Sequence, residues 1–111
     1  MSRVDGVAIA SLAGSFDIYS LPALRGELDA LAGTTPLVVD LSEVTLIDSS
    51  GLSALLSLAN RCARSGPVPF GLVCPRRRLR RVFEITGLRD AFAIGADLAA
   101  VRAIWEAGGG G

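Results

Sequence analysis

The 111-residue chain has no histidine and no lysine. Without an imidazole, a serine or cysteine nucleophile lacks its usual general base. Without lysine there is no cation for a glycine-rich phosphate-binding loop. Two cysteines, Cys62 and Cys74, are too few for a disulfide framework or a structural zinc site. Both lie in apolar stretches, so they are expected to be buried free thiols of a reducing compartment. Carboxylates do not cluster as metal ligation requires. The longest nearly apolar run, residues 51–59, is too short to cross a bilayer. The first residues show neither the charged nor the apolar region of a secretory leader, so a cytoplasmic protein is expected. These absences argue against an enzyme and imply no metal and no cofactor.

What is present is a chain half of whose residues are hydrophobic, mostly Ala, Leu and Val, with only 5% aromatic. The core is therefore expected to be aliphatic. The 11 basic residues, all Arg, balance 11 acidic ones. A net charge of zero gives no reason to expect nucleic acid or an anionic lipid surface as partner. The length suits one domain, placed at residues 1–107, with residues 108–111 as a flexible glycine tail. Oligomeric state is not legible.

Apolar patterning alternates between two periods. Asp5-Gly6 suits a tight hairpin turn after a very short first strand, and residues 7–13 read as a strand ended by Gly14. Residues 20–33 read as a helix, with Pro22 in its first turn, Leu21, Leu24, Leu28 and Leu31 on one stripe, and Gly33 as stop. Residues 36–41 form a nearly continuous apolar run, the pattern of a strand buried on both faces. A second helix is predicted over residues 50–63, with Leu52, Leu55, Leu56, Ala59, Cys62 and Ala63 inward and Ser53, Ser57, Asn60, Arg61 and Arg64 outward. Residues 68–74 read as a strand interrupted by Pro69 and Gly71. A third helix follows, with Leu79, Val82 and Phe83 inward, five arginines between Arg76 and Arg81 mostly outward, and Gly87 at its end. Residues 91–94 read as a short strand and residues 96–106 as a last helix. Such alternation predicts an α/β domain: a small mixed, mainly parallel sheet flanked by about four helices. In open sheets of this kind, function gathers beyond the carboxyl ends of the strands.

Asp48-Ser49-Ser50-Gly51 lies in that region, between an apolar run and a strongly amphipathic helix. A hydroxyl there sits among unpaired backbone N–H groups at the positive end of the helix dipole, which suits a phosphate. With no base to activate it, the serine reads as a phosphate acceptor rather than a hydrolytic nucleophile. Asp48 is expected to accept backbone N–H bonds and orient Ser49. Gly51 is expected to leave room for a partner's backbone. The alternative is a plain helix cap.

Residues 38–41 and 44–52, with the order Val-Val-Asp-Leu, Val44, then Ile-Asp-Ser-Ser-Gly-Leu, resemble the central motif of STAS domains, the anti-sigma factor antagonist family. Residues 81–88 and 92–94 resemble that family's third helix, its glycine and its last strand. Gly14 to Asp17 resembles the Gly-x-x-Asp after its second strand, although Ser15 stands where the family often has an acidic residue. The resemblance covers residues 7–107. It implies that the unphosphorylated protein binds an anti-sigma factor that is also an ATP-dependent serine kinase, that phosphorylation of one serine ends the complex, and that a phosphoserine phosphatase resets it. By motif position the acceptor is Ser49, with Ser50 as second choice. The partner-binding surface is placed on Asp17, Asp48, Ser49, Ser50, Gly51 and Ser53. A second implication stays open: STAS domains also serve as accessory subunits or domains of lipid or anion transport complexes, without a phospho-switch. Two further features have competing readings. Asp17 is either a partner contact or a local turn or capping residue. The cluster from Arg76 to Arg81 is either a phosphate or nucleic-acid patch or, as preferred, a solvated helix face.

Overall fold

Leu37, Val38 and Val39 are each 0% exposed, and they form the middle of the sheet. The structure, a computed structural model, describes residues 2–17, 26, 35–64, 68–88 and 92–108. Among the described residues five strands lie in chain order: β1 (Ser2–Val4), β2 (Val7–Phe16), β3 (Leu37–Ile47), β4 (Phe70–Val73) and β5 (Ala93–Gly95). β1 pairs antiparallel with β2, and every later neighbour is parallel. The described helices are α1 (Ser49–Arg64), α2 (Arg77–Ile85) and α3 (Leu98–Glu106). The helix predicted over residues 20–33 lies outside the described residues except for Gly26, which is helical and exposed.

Period-2 alternation sorts the strands onto two faces. Leu37, Val39, Leu41 and Val44 pack with Leu52, Leu55 and Leu58 of α1 and Leu79 and Phe83 of α2. Val38 points the other way, into a smaller cluster with Val7, Val73, Ala93 and Val101 of α3. A strand covered on both faces needs apolar side chains at every position, as the sequence of this run requires. Phe83 anchors α2 edge-on to Phe92, with ring centroids 5.7 Å apart. Trp105, read as a core side chain, packs against the smaller cluster, and its indole N–H donates to the Phe70 carbonyl at 3.1 Å.

The Asp5-Gly6 hairpin turn is present, with φ of 50° and 81° at its two residues, the left-handed pair that a tight two-residue turn demands. Several predicted boundaries are corrected. β2 does not stop at Gly14 but runs to Phe16, absorbing register shifts on the way. β3 does not stop at Leu41 but continues through Ser42 and Glu43 to Ile47, because β2 keeps pairing with it. β4 is confined to Phe70–Val73, Pro69 lying just before it. β5 is displaced to Ala93–Gly95. α3 starts at Leu98, since the Asp97 carboxylate accepts the Ala100 N–H at 2.8 Å and caps it. Within α1, Ala63 is exposed rather than inward, while Ala54 and Leu58 are buried. The buried face is therefore rotated slightly from the predicted stripe. Cys62 and Cys74 are both buried and free.

Candidate functional site

β2 and β3 are parallel neighbours that end side by side, with Phe16 paired to Ile47. The next residue on each strand is an aspartate, so the sheet brings Asp17 and Asp48 together across a separation of 31 residues. The Asp48 N–H donates to the Phe16 carbonyl at 3.3 Å, which ties the start of α1 to the end of β2.

Asp48 is the N-cap of α1. Its carbonyl accepts the Leu52 N–H at 3.0 Å, and its carboxylate oxygen Oδ1 accepts the Gly51 N–H, also at 3.0 Å. The backbone N–H bond expected of its carboxylate is thus present. One otherwise unsatisfied donor of the first turn is thereby filled. Ser49, the first helical residue, is exposed, Ser50 is half-buried, and Ser53 is exposed one turn further on the same helix. No acidic residue lies in the first turn of α1. Ser49 thus offers its hydroxyl to solvent at the positive end of a 16-residue helix, where added negative charge is stabilising. Asp17 is half-buried beside this helix start.

Gly51 corrects an expectation. It is buried, and a Cβ built on it would lie 2.5 Å from the Phe16 carbonyl oxygen and 2.9 Å from the Phe16 ring. The clearance it provides is on the inner side of the helix, toward β2, and not toward an approaching partner. The missing side chain lets the first turn of α1 settle onto the end of the sheet.

Two features escape sequence reasoning. The first is Phe16, whose backbone oxygen receives the cap residue and whose ring lies under Gly51; only the parallel register reveals it. The second is a groove of about 360 Å³ between the end of β3 and α2, lined by Val44, Thr45, Leu46, Ile47, Arg76, Arg78, Leu79 and Val82. Polar interruptions in residues 42–45 hide the strand that forms one of its walls. Among the described residues no group of side chains suits a metal ion, and no helix is long and apolar enough to cross a membrane. Cys74 is no reactive thiol: burial pushes it from 9.0 up to about 11, against the opposing pull of Arg80.

A model of the family described as STAS domain matches residues 1–101. The anti-sigma-B factor antagonist of Bacillus subtilis is 36% identical over 87 residues, 78% of this chain and 79% of that protein. The anti-sigma-F factor antagonist RsfB of Mycobacterium tuberculosis is 32% identical over 92 residues, 81% of this chain and 74% of that protein. Among solved structures, an anti-sigma factor antagonist from Mycobacterium paratuberculosis superposes with a TM-score of 0.81 at 31% identity, covering 94% of this chain and 90% of the other. The sheet order, the capped helix after the central strand and these likenesses lead to one conclusion: the chain belongs to the STAS domain family.

Proposed function

We propose that this chain is an anti-sigma factor antagonist, active as a binding protein and not as an enzyme. Unphosphorylated, it binds a serine-kinase anti-sigma factor in the cytoplasm and so frees a sigma factor. The kinase transfers the γ-phosphoryl group of ATP to the Ser49 hydroxyl, releasing ADP and a proton, and the complex dissociates. A phosphoserine phosphatase restores the hydroxyl. The observation that supports this reading is the exposed Ser49 at the capped N-terminus of α1. The names of the relatives at 30% identity or more agree with it.

The physics of the switch follows from the site. A phosphate adds about −1.5 to −2 charges at pH 7. The helix N-terminus favours that charge, so the fold tolerates it. The effect must then fall on the partner, through lost contacts and repulsion at a surface formed by Asp17, Asp48, Ser49, Ser50 and Ser53, with Gly51 seating the helix from beneath. A hundredfold loss of affinity requires only about 2.7 kcal/mol.

The test is to incubate the chain with its anti-sigma factor kinase and ATP and map the phosphate by mass spectrometry. Phosphate at Ser49 supports the reading. Phosphate at Ser50 alone moves the acceptor, and none with a kinase active on another substrate refutes it. Ser49→Ala should bind whether or not ATP is present, and Ser49→Asp should bind weakly.

A further inference from the structure

The last residue of β4, Val73, pairs with Asp40. Beyond that pair, β3 runs on to Ile47 with β2 on one side and, among the described strands, none on the other. Half the backbone groups of such an edge point away from the paired strand, ready to bond an added one. α2 lies alongside this edge, and the groove of about 360 Å³ runs between them. Its walls include the apolar residues Val44, Leu46, Leu79 and Val82, and Leu46 is 53% exposed. Leu46 carries the apolar lining of the groove out to the surface.

The rim is cationic. Arg76, Arg77, Arg78 and Arg81 are exposed, and none of them forms an ion pair with a described residue. Arg76 is the N-cap of α2, with no side-chain cap bond, and no acidic residue stands in the first turn. Cations at a helix N-terminus oppose the dipole, so the arrangement costs stability and the fold gains nothing visible from it. A negatively charged occupant reverses that balance. The groove is also continuous with the phospho-acceptor site: Ile47 lines it, and Asp48 and Ser49 follow directly.

We propose that this groove docks an extended, acidic segment of the anti-sigma factor, added as a strand along the edge of β3 at residues 44–47, with an apolar side chain seated against Leu46 and Leu79 and carboxylates facing Arg76 and Arg78. Backbone bonds along the edge hold the segment, and the arginines select its charge. A nucleic-acid backbone is the poorer fit, because it uses neither an apolar floor nor a strand edge, and the cluster has no aromatic platform for bases. The inference rests on the proposed antagonist function. It differs in placing a second contact beside the serine, one that persists as an anchor while Ser49 enters the kinase site.

The test uses the full chain, labelled with ¹⁵N, and the anti-sigma factor that phosphorylates Ser49 in the mapping experiment. Binding should move the amides of residues 44–47 and 76–82 as well as those around Ser49. Arg76→Glu with Arg78→Glu should slow association about tenfold, with the gap narrowing at high salt. Arg3→Glu with Arg64→Glu, the same charge change at two exposed positions away from the groove, should leave it within about twofold. Shifts confined to the Ser49 region, with binding indifferent to the Arg76 and Arg78 changes, overturn the groove and leave the antagonist reading standing. Groove shifts produced by a short DNA duplex but not by the anti-sigma factor assign the patch to nucleic acid and overturn it too. Shifts that appear as the chain alone is concentrated assign the groove to a second copy. Failure to find phosphate at either Ser49 or Ser50 at the mapping step, with a kinase active on another substrate, removes the antagonist reading itself, and this inference falls with it.

Discussion

A β-carbon on Gly51 would stand 2.5 Å from the carbonyl oxygen of Phe16. That oxygen also accepts the Asp48 N–H at 3.3 Å, so one backbone atom at the end of β2 receives the cap of α1 and limits how close its first turn can come. Backbone cannot rotate aside as a side chain can. Gly51→Ala should therefore lift the start of α1 and cost about 1–3 kcal/mol, the range of overpacking changes. Urea unfolding measures the loss. Phosphorylation of Ser49 should slow in the same variant, measured at a temperature where it remains folded. A variant as stable as the parent would show that α1 is not seated by this contact.

Asp48 separates capping from charge. Asp48→Ala removes the acceptor of the Gly51 N–H and should cost about 1 kcal/mol. Asp48→Asn keeps an acceptor oxygen and should recover most of that stability. Thermal unfolding of the pair reads the difference, and equal losses would mean that the carboxylate's charge matters more than its cap bond.

Ser49 is exposed and lies in the first turn of a helix without acidic residues there. Ser49→Asp should leave the fold as stable as before or more stable by about 0.3–1 kcal/mol, while weakening partner binding. Opposite signs for stability and affinity are what a charge tolerated by the fold and rejected by the interface produces. Calorimetry of unfolding and of binding on one preparation gives both signs. Loss of both together would make the substitution a folding defect.

Cys74 sets an alkaline limit. Burial raises its thiol from 9.0 to about 11, with Arg80 opposing the rise. The native state therefore holds the proton at pH values where the unfolded chain has released it. Stability from this residue is fully present below about pH 9 and is lost as pH climbs toward about 11. Denaturant midpoints of the parent and of Cys74→Val should diverge over that window, the parent falling faster. Parallel curves would show that the thiol does not titrate differently in the two states.

The helix after the central strand was legible almost to the residue, predicted over residues 50–63 and found at Ser49–Arg64. Its amphipathic period is local, and its cap is built from neighbouring residues. The Asp5-Gly6 turn was legible for the same reason. The far half of β3 was not. Ser42, Glu43 and Thr45 break its apolar run, because beyond Asp40 this strand has, among the described residues, a strand neighbour on one side only and is partly open to solvent. Gly14 reads as a terminator, yet the strand passes through it, since pairing with β3 continues past the irregularity.

The sequence by itself determined the elements that depend on neighbours within about one turn, the chemistry available to the chain, and the serine set at a helix start. Tertiary structure decided what distant segments do to one another. Parallel register placed Asp17 beside Asp48 and Phe16 beneath Gly51, and so turned a glycine that looked like clearance for a partner into a packing residue. It also opened a cationic groove next to Ser49 by ending β4 before β3. The physical reason is the same in each case: strand pairing and close packing join residues far apart in the chain, and no local periodicity records which of them will meet.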